Sequence, residues 1–255
     1  MNDNEKNLLN LFIYLTDSGW IKGITNNDNN VGITFENEIG KKADSLFLPD
    51  YKGIEIKCSQ RYSGYPFSLF SLAFDGPNLY EMNRIVTMYG REDRIYKNRY
   101  ILMGNLKCDT KVLINNNFFE LKIDDDKKIL YINIYDENFN LLEERPYIDF
   151  STIKDRLEIK LNQLAIVWAS KRKVSNDVYF RYYKIEILRL KSFERFIELI
   201  KENKLSISIE GRVSRSGEEE GRQRNKNIVF RLPKENVEYL FDKIYCYDHD
   251  KNKYQ

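Results

Sequence analysis

The sequence predicts a mixed α/β (α+β) fold. Three observations carry that expectation: apolar residues recur at helical spacing in several short segments, period-two strands come in hairpin pairs, and no repeat or low-complexity linker interrupts them. A chain of 255 residues can bury a sizeable core as one large or two modest domains. The even texture argues for one continuous unit over 1–255, with two lobes around a cleft.

The elements follow in order. Residues 4–16 put Leu8, Leu9, Phe12, Ile13 and Leu15 mostly on one helical face, and Asp17-Ser18-Gly19 ends the pattern. The asparagine-rich stretch 25–30 reads as a loop, and Thr34 to Ile39 as a short helix closed by Gly40. DSLFLPD and GIEIKC read as two strands around a tight turn. Asn78 is placed to cap a helix through NLYEMNRIVTMYG. FFELKI and ILYINIYD flank a polar turn as a hairpin, and Ser151 opens a helix to about Leu161. Strands QLAIVWAS and VYFRYYKIEIL precede a helix in FERFIELIKEN. LSISIEG and IVFRL then flank a sixteen-residue polar loop, and Pro233 opens a last helix in PKENVEYLFDKI.

Composition excludes several classes. Lysine plus arginine number 41 against 39 acidic residues, so any basic surface is local rather than global. Three widely spaced cysteines suit neither a disulfide framework nor a zinc cluster, which points to a reducing cytosol. No signal peptide and no run of about 18 apolar residues is present, so a soluble, cytoplasmic protein is expected. The abundance of Asn, Ile, Lys and Tyr fits a bacterial or phage gene. The lone histidine, His249, gives a serine–histidine triad nothing to build on, and there is no phosphate-binding G-x-x-x-x-G-K-[ST] loop.

The chemistry concentrates in LPDYKGIEIKCSQ. Strand alternation projects Glu55 and Lys57 to one side while Ile54 and Ile56 face the core. A turn at Gly53 would fold Asp50 back towards Glu55, so that two carboxylates share a hard cation such as Mg2+, which takes oxygen ligands at about 2.0–2.1 Å. Lys57 would then orient the attacking water or stabilise charge building on phosphorus. Glu36, on its short helix, would hold a water or serve a second ion. Glu-x-Lys also occurs at Glu120, Glu158 and Glu202, so the triplet alone is weak; Glu158 and Glu202 fall in helical patterns where such a pair is usually a solvated face. The rival reading of Asp50–Lys57 is a charged edge hairpin.

The segment VGITFENEIGKKADSLFLPDYKGIEIKCSQRYSGYPFSLFSLAFDGP resembles the active-site region of the MvaI/BcnI family of type II restriction endonucleases, MutH-related members of the PD-(D/E)xK superfamily. Weaker likeness continues to SIEGRVSRSGEEEGRQRNKNIVFRL. The resemblance implies a restriction-endonuclease-like core with a catalytic lobe (about 1–110) and a lobe mainly for DNA recognition (about 111–255). It implies Asp50 and Glu55 as metal ligands, Lys57 as the catalytic lysine, Glu36 as an accessory carboxylate and Mg2+ as cofactor. It further implies double-stranded DNA as substrate, a monomer that nicks each strand in turn, and a cognate DNA methyltransferase of the same system as partner without a stable complex.

Recognition is expected around loop 212–227, where Arg212, Arg215, Arg222, Arg224 and Lys226 oppose Glu218, Glu219 and Glu220, five charges against three. Arginine can read guanine, Asn225 adenine, and Glu210 a cytosine amino group. The family's histidines and aspartate–arginine pair are replaced here by Arg224, Lys226, Ser208 and Glu210. Arg61 is a candidate phosphate contact. Competing functions are a repair nickase and a non-cleaving DNA-binding module of the same fold.

Overall fold

The computed structural model describes all residues except 26–29, 42–47, 79, 144, 215–226 and 253–255. The chain divides into two compact units that interleave in sequence: one comprises 1–65, 157–192 and 238–255, the other 66–156 and 193–237. The expected boundary near residue 110 therefore lies inside the second unit. The interleaving has a local cause. Strand β2 (Glu55–Gln60) pairs in parallel with β10 (Gln163–Val174), and a parallel pair needs a crossover connection; here the chain between them includes residues 66–156.

In the first unit, β10 also forms a long antiparallel hairpin with β11 (Asp177–Leu190). The sheet order is β1-β11-β10-β2, where β1 is Ile21–Lys22, and β14 (Phe241–Asp248) pairs with β11 as well. Helices α1 (Asp3–Asp17) and α2 (Asn30–Glu38) bury Leu8, Phe12, Leu15, Val31 and Phe35 against Ile54, Ile56, Ala165, Val167, Phe180 and Tyr182. Helix α1 starts on a capping box: Asn2 accepts from the Glu5 amide, and Glu5 accepts from the Asn2 amide at 2.7 Å. The Tyr182 hydroxyl donates to the Val31 carbonyl at 2.8 Å inside the core, which fixes the height of α2 over the sheet. Helix α4 (Phe150–Leu161) enters this unit at Leu157, and the four-residue α7 (His249–Asn252) follows β14.

The second unit holds two antiparallel sheets. One has the order β3-β13-β12-β5-β4, from β3 (Phe67–Leu72), β4 (Arg91–Glu92), β5 (Arg99–Leu106), β12 (Ser206–Ser214) and β13 (Asn227–Leu232). The other is β6-β7-β8-β9: Val112–Ile114, Asn117–Asp124, Ile129–Tyr135 and Tyr147–Asp149. Phe70, Phe196 and Phe230 join β3, helix α5 (Phe193–Lys201) and β13, with ring centroids 4.9–5.8 Å apart. Helix α3 (Glu81–Tyr89) lies close on β12 because Gly211 has no side chain; a Cβ there would stand 2.1 Å from Val86 Cγ2.

Three expectations change. Asn78 does not cap α3: Tyr80 takes that position in a left-handed conformation (φ 60°), and the Asn78 amide donates instead to the Glu81 carboxylate at 2.8 Å. The segment after Pro233 gives a single 3-10 turn (Lys234–Asn236) and the one-turn α6 (Val237–Leu240) before β14. Ile244, Tyr245 and Tyr247 suit a strand, and pairing with β11 outweighs the helical pattern. Of the strand expected in DSLFLPD, 44–47 lie outside the described residues and 48–50 are not strand. Among the described residues, no helix is long and apolar enough to cross a membrane.

The tight approach at Gly211 gives a stability prediction. Gly211→Ala must displace Val86 or bend β12, a strain of about 1–3 kcal/mol. Urea unfolding should show that loss, and adding Val86→Ala should recover part of it.

Candidate active site

The site begins with a two-residue turn. Tyr51 and Ile54 exchange backbone hydrogen bonds of 2.9 and 2.8 Å, and the residues between them, Lys52 (φ 44°) and Gly53 (φ 90°), both occupy the left-handed region that such turns require. Glycine takes that conformation without strain, which is why it stands at the sharper position. The turn folds Asp50 back along the next strand, where its Oδ2 accepts from the Ile56 amide at 3.0 Å. The Lys41 ammonium binds its Oδ1.

Glu55 opens β2 with its side chain only 1% exposed. Lys57, two residues on and on the same strand face, binds Oε1. On the other side, the Lys160 ammonium from the last turn of α4 lies 3.3 Å from Oε2. That contact lacks hydrogen-bond alignment, and Oε2 is the one buried carboxylate oxygen among the described residues without a hydrogen-bond donor. Other deeply buried carboxylates are satisfied: Glu5 takes the Arg189 guanidinium and the Asn2 amide, and Glu81 takes Arg84 and Asn78. Unmet acceptor capacity inside a buried site is costly unless something completes it.

Glu36, half-buried on α2, lies in the field of the same groups. Burial pushes its carboxyl above the ordinary range, the Asp50 and Glu55 charges add to that, and Lys41 and Lys57 oppose it. Burial likewise raises Glu55, with Asp50 reinforcing and Lys57 and Lys160 opposing. Burial acts upward on Asp50 too, but there Lys41, the Ile56 amide and Lys57 win and hold it below its usual value. Glu36 feels both Asp50 and Glu55, Glu55 feels Asp50, and Lys57 acts on all three, so the groups form one electrostatic cluster.

The cluster suits a hard cation. Asp50 and Glu55 offer oxygen ligands, and the Glu55 Oε2 atom has acceptor capacity to spare. Among the described residues no three acidic, histidine or cysteine groups form a complete cage. One or two protein carboxylates, completed by water and substrate phosphate, is the arrangement Mg2+ favours over an all-protein cage.

A turn-borne aspartate followed by a strand-borne Glu-x-Lys, on a sheet covered by helices, defines a nuclease of the PD-(D/E)xK class. The sequence profile of the MvaI/BcnI restriction endonuclease family matches residues 9–241, and the chain belongs to that family: it is a type II restriction endonuclease, a site-specific deoxyribonuclease. The fold agrees with the solved "Restriction endonuclease MvaI-cognate DNA substrate complex" at a TM-score of 0.85, with 20% identity over 95% of this chain and 98% of that one. Against "Restriction endonuclease MvaI in the absence of DNA" the TM-score is 0.61, at 22% identity and 95% and 97% coverage. A comparison with curated protein sequences returned no match.

The structure thus brings Asp50, Glu55, Lys57 and Glu36 together in the first unit. Arg61, also there, stacks over Tyr183 at 4.2 Å and pairs with Asp250, so its guanidinium is engaged within the unit. Glu210 and Arg212 lie on β12 in the second unit, while Arg215, Arg222, Arg224, Asn225 and Lys226 are outside the described residues. Glu210 does not stand alone: Arg231 of β13 binds its Oε1 and the Ser208 hydroxyl. Three residues escaped the sequence reading. Arg231 had a signal, as the single charge within the apolar strand IVFRL. Lys160 was visible but assigned to solvent, and Lys41 had only its place in GKK.

A pH prediction follows from these acidities. Because Glu55 and Glu36 are raised in the folded state, each contributes stability that is present below the ordinary carboxylate value and lost as pH rises through its folded value. A divalent cation held by these carboxylates would offset that loss by binding the ionised forms. The rise in thermal midpoint produced by Mg2+ should therefore be larger at pH 8 than at pH 5; an equal rise at both would place the cation elsewhere.

Proposed function

We propose that this restriction endonuclease uses Asp50, Glu55 and Lys57, with Glu36 as accessory carboxylate, for Mg2+-dependent hydrolysis of phosphodiester bonds in double-stranded DNA. What carries the reading is the Lys52-Gly53 turn, which sets the Asp50 carboxylate against the strand that bears Glu55 and Lys57. A bound Mg2+ supplies Lewis acidity and lowers the pKa of water. Asp50 and Glu55 would hold the ion. Lys57 would orient the incoming water and offset charge on the phosphorus, where a bond from the water oxygen forms as the bond to the leaving deoxyribose oxygen breaks. Glu36, with its raised acidity, would hold a water or a second ion.

The first unit would carry catalysis and the second recognition, with the division following the interleaved units rather than a single boundary at about residue 110. The neighbour solved with its cognate DNA substrate supports a duplex partner. Within the second unit, Arg212, the Glu210–Arg231 pair and the loop with Arg215, Arg222, Arg224, Asn225 and Lys226 would face the bases. With Arg231 on its carboxylate, Glu210 is better suited to aim that guanidinium at a guanine edge than to accept from cytosine by itself. Arg61 would add a phosphate contact only by leaving Asp250. The enzyme would act as a monomer, nicking the strands in separate events, in the cytoplasm of a bacterial or phage-infected cell, beside a cognate DNA methyltransferase that protects the host sites.

Plasmid DNA with Mg2+ should give discrete fragments through an open-circle intermediate. Asp50→Ala should slow cleavage at least about a hundredfold, equivalent to a few kcal/mol of lost transition-state stabilisation; undiminished cleavage would remove Asp50 from the site. Arg231→Ala should change which sites are cut if the arginine reads a base, and should instead lower the salt slope by about one if it contacts phosphate. Fragments and salt slope both unchanged would leave the pair a purely structural one.

A further inference from the structure

Lys160 belongs to a Glu-x-Lys copy, Glu158-Ile159-Lys160, that a helical pattern assigns to solvent, yet its side chain is only 17% exposed and its ammonium lies 3.3 Å from Glu55 Oε2. We propose that Lys160 is the positioning residue for the Glu55 carboxylate: anchored on α4, it fixes Oε2 while Lys57 meets Oε1, so that Glu55 is presented in one orientation beside Asp50. The inference rests on the metal-dependent reading of this site and names a residue that the Asp50, Glu55, Lys57, Glu36 set does not include.

Three observations support it. Glu55 is buried, and a buried carboxylate needs a persistent counter-charge. Lys57 meets only Oε1, from the same strand that carries Glu55, and in the proposed mechanism it would leave that contact for the phosphate. Lys160 comes from a different element, whose neighbouring Ile153, Leu157 and Leu161 are fully buried; its stem is therefore tied to the core, and its charge at the helix C-terminus is favourable to the helix dipole. The helix delivering Lys160 leads directly into β10, the strand that pairs in parallel with β2 and sets Leu164 opposite Glu55. Lysine, helix and ladder thus hold Glu55 through one continuous stretch of chain.

The test compares wild-type protein with Lys160→Met and Lys160→Arg in two assays: Mg2+-induced rise in thermal midpoint without DNA, and plasmid cleavage against Mg2+ concentration. Lys160→Met should need at least about tenfold more Mg2+ in both, and Lys160→Arg should recover most of the loss. Should Lys160→Met fail to fold, Lys160→Gln takes its place with the same expectation. Unchanged Mg2+ dependence overturns the proposal. Tighter Mg2+ binding in Lys160→Met also overturns it, because the lysine would then act only as a charge opposing the ion. A wild-type protein that neither responds to Mg2+ nor cuts DNA would instead overturn the metal-dependent reading itself.

Discussion

A carboxylate held out of water at the edge of a sheet is unstable unless cations surround it, and Glu55 imposes that constraint on the first unit. Its needs explain features that otherwise look unrelated. The parallel β2–β10 pairing brings the end of α4 beside Glu55; the turn at Lys52-Gly53 keeps Asp50 next to it; the Tyr182–Val31 hydrogen bond holds α2, and with it Glu36, over the same strand. Each device is a modest interaction, and together they hold three carboxylates and three lysines in one small region. The net result is a site whose charges nearly balance but in which one Glu55 oxygen is buried with no aligned donor, the acceptor capacity that the proposed cation would use.

Structural carboxylates in the same chain show the contrast. Glu5 and Glu81 are as deeply buried, but both of their oxygens have donors: Glu81 takes the Arg84 fork, and Glu5 takes one Arg189 nitrogen and the Asn2 amide. A planar guanidinium saturates a carboxylate bidentately, whereas an ammonium meets it as a point charge and leaves room for other partners. Lysines rather than arginines surround Asp50 and Glu55, which is the choice expected of a site that exchanges partners. The Glu210–Arg231–Ser208 group on the second unit's sheet is built the opposite way, with one planar guanidinium held by two acceptors at once.

What the sequence revealed and what it hid divide along a physical line. The turn at Gly53, the hairpin of β7 and β8, and the alternation of Ile54, Glu55, Ile56 and Lys57 were legible because turn chemistry and strand period are local. The family motif sharpened Asp50 and Glu36. Long-range pairing was not legible: nothing in GIEIKC or QLAIVWAS says that they run parallel across more than a hundred residues, so a consecutive division was the natural expectation, whereas the compact units interleave. The start of β14, residues 241–244, carries a helical pattern for the same reason: its partner β11 is distant in sequence.

Lys160 shows why charge patterning alone misassigns such residues. Helical spacing places Glu158 and Lys160 two positions apart, where side chains on a helix do not face each other, so the triplet could not have been an internal ion pair. In a strand the same spacing sets both groups on one face, as Glu55 and Lys57 are. A Glu-x-Lys triplet on a helix therefore leaves its lysine available to something other than its own glutamate. The element that carries each copy decides its partners, and the helical copy places its lysine beside the glutamate of the strand copy.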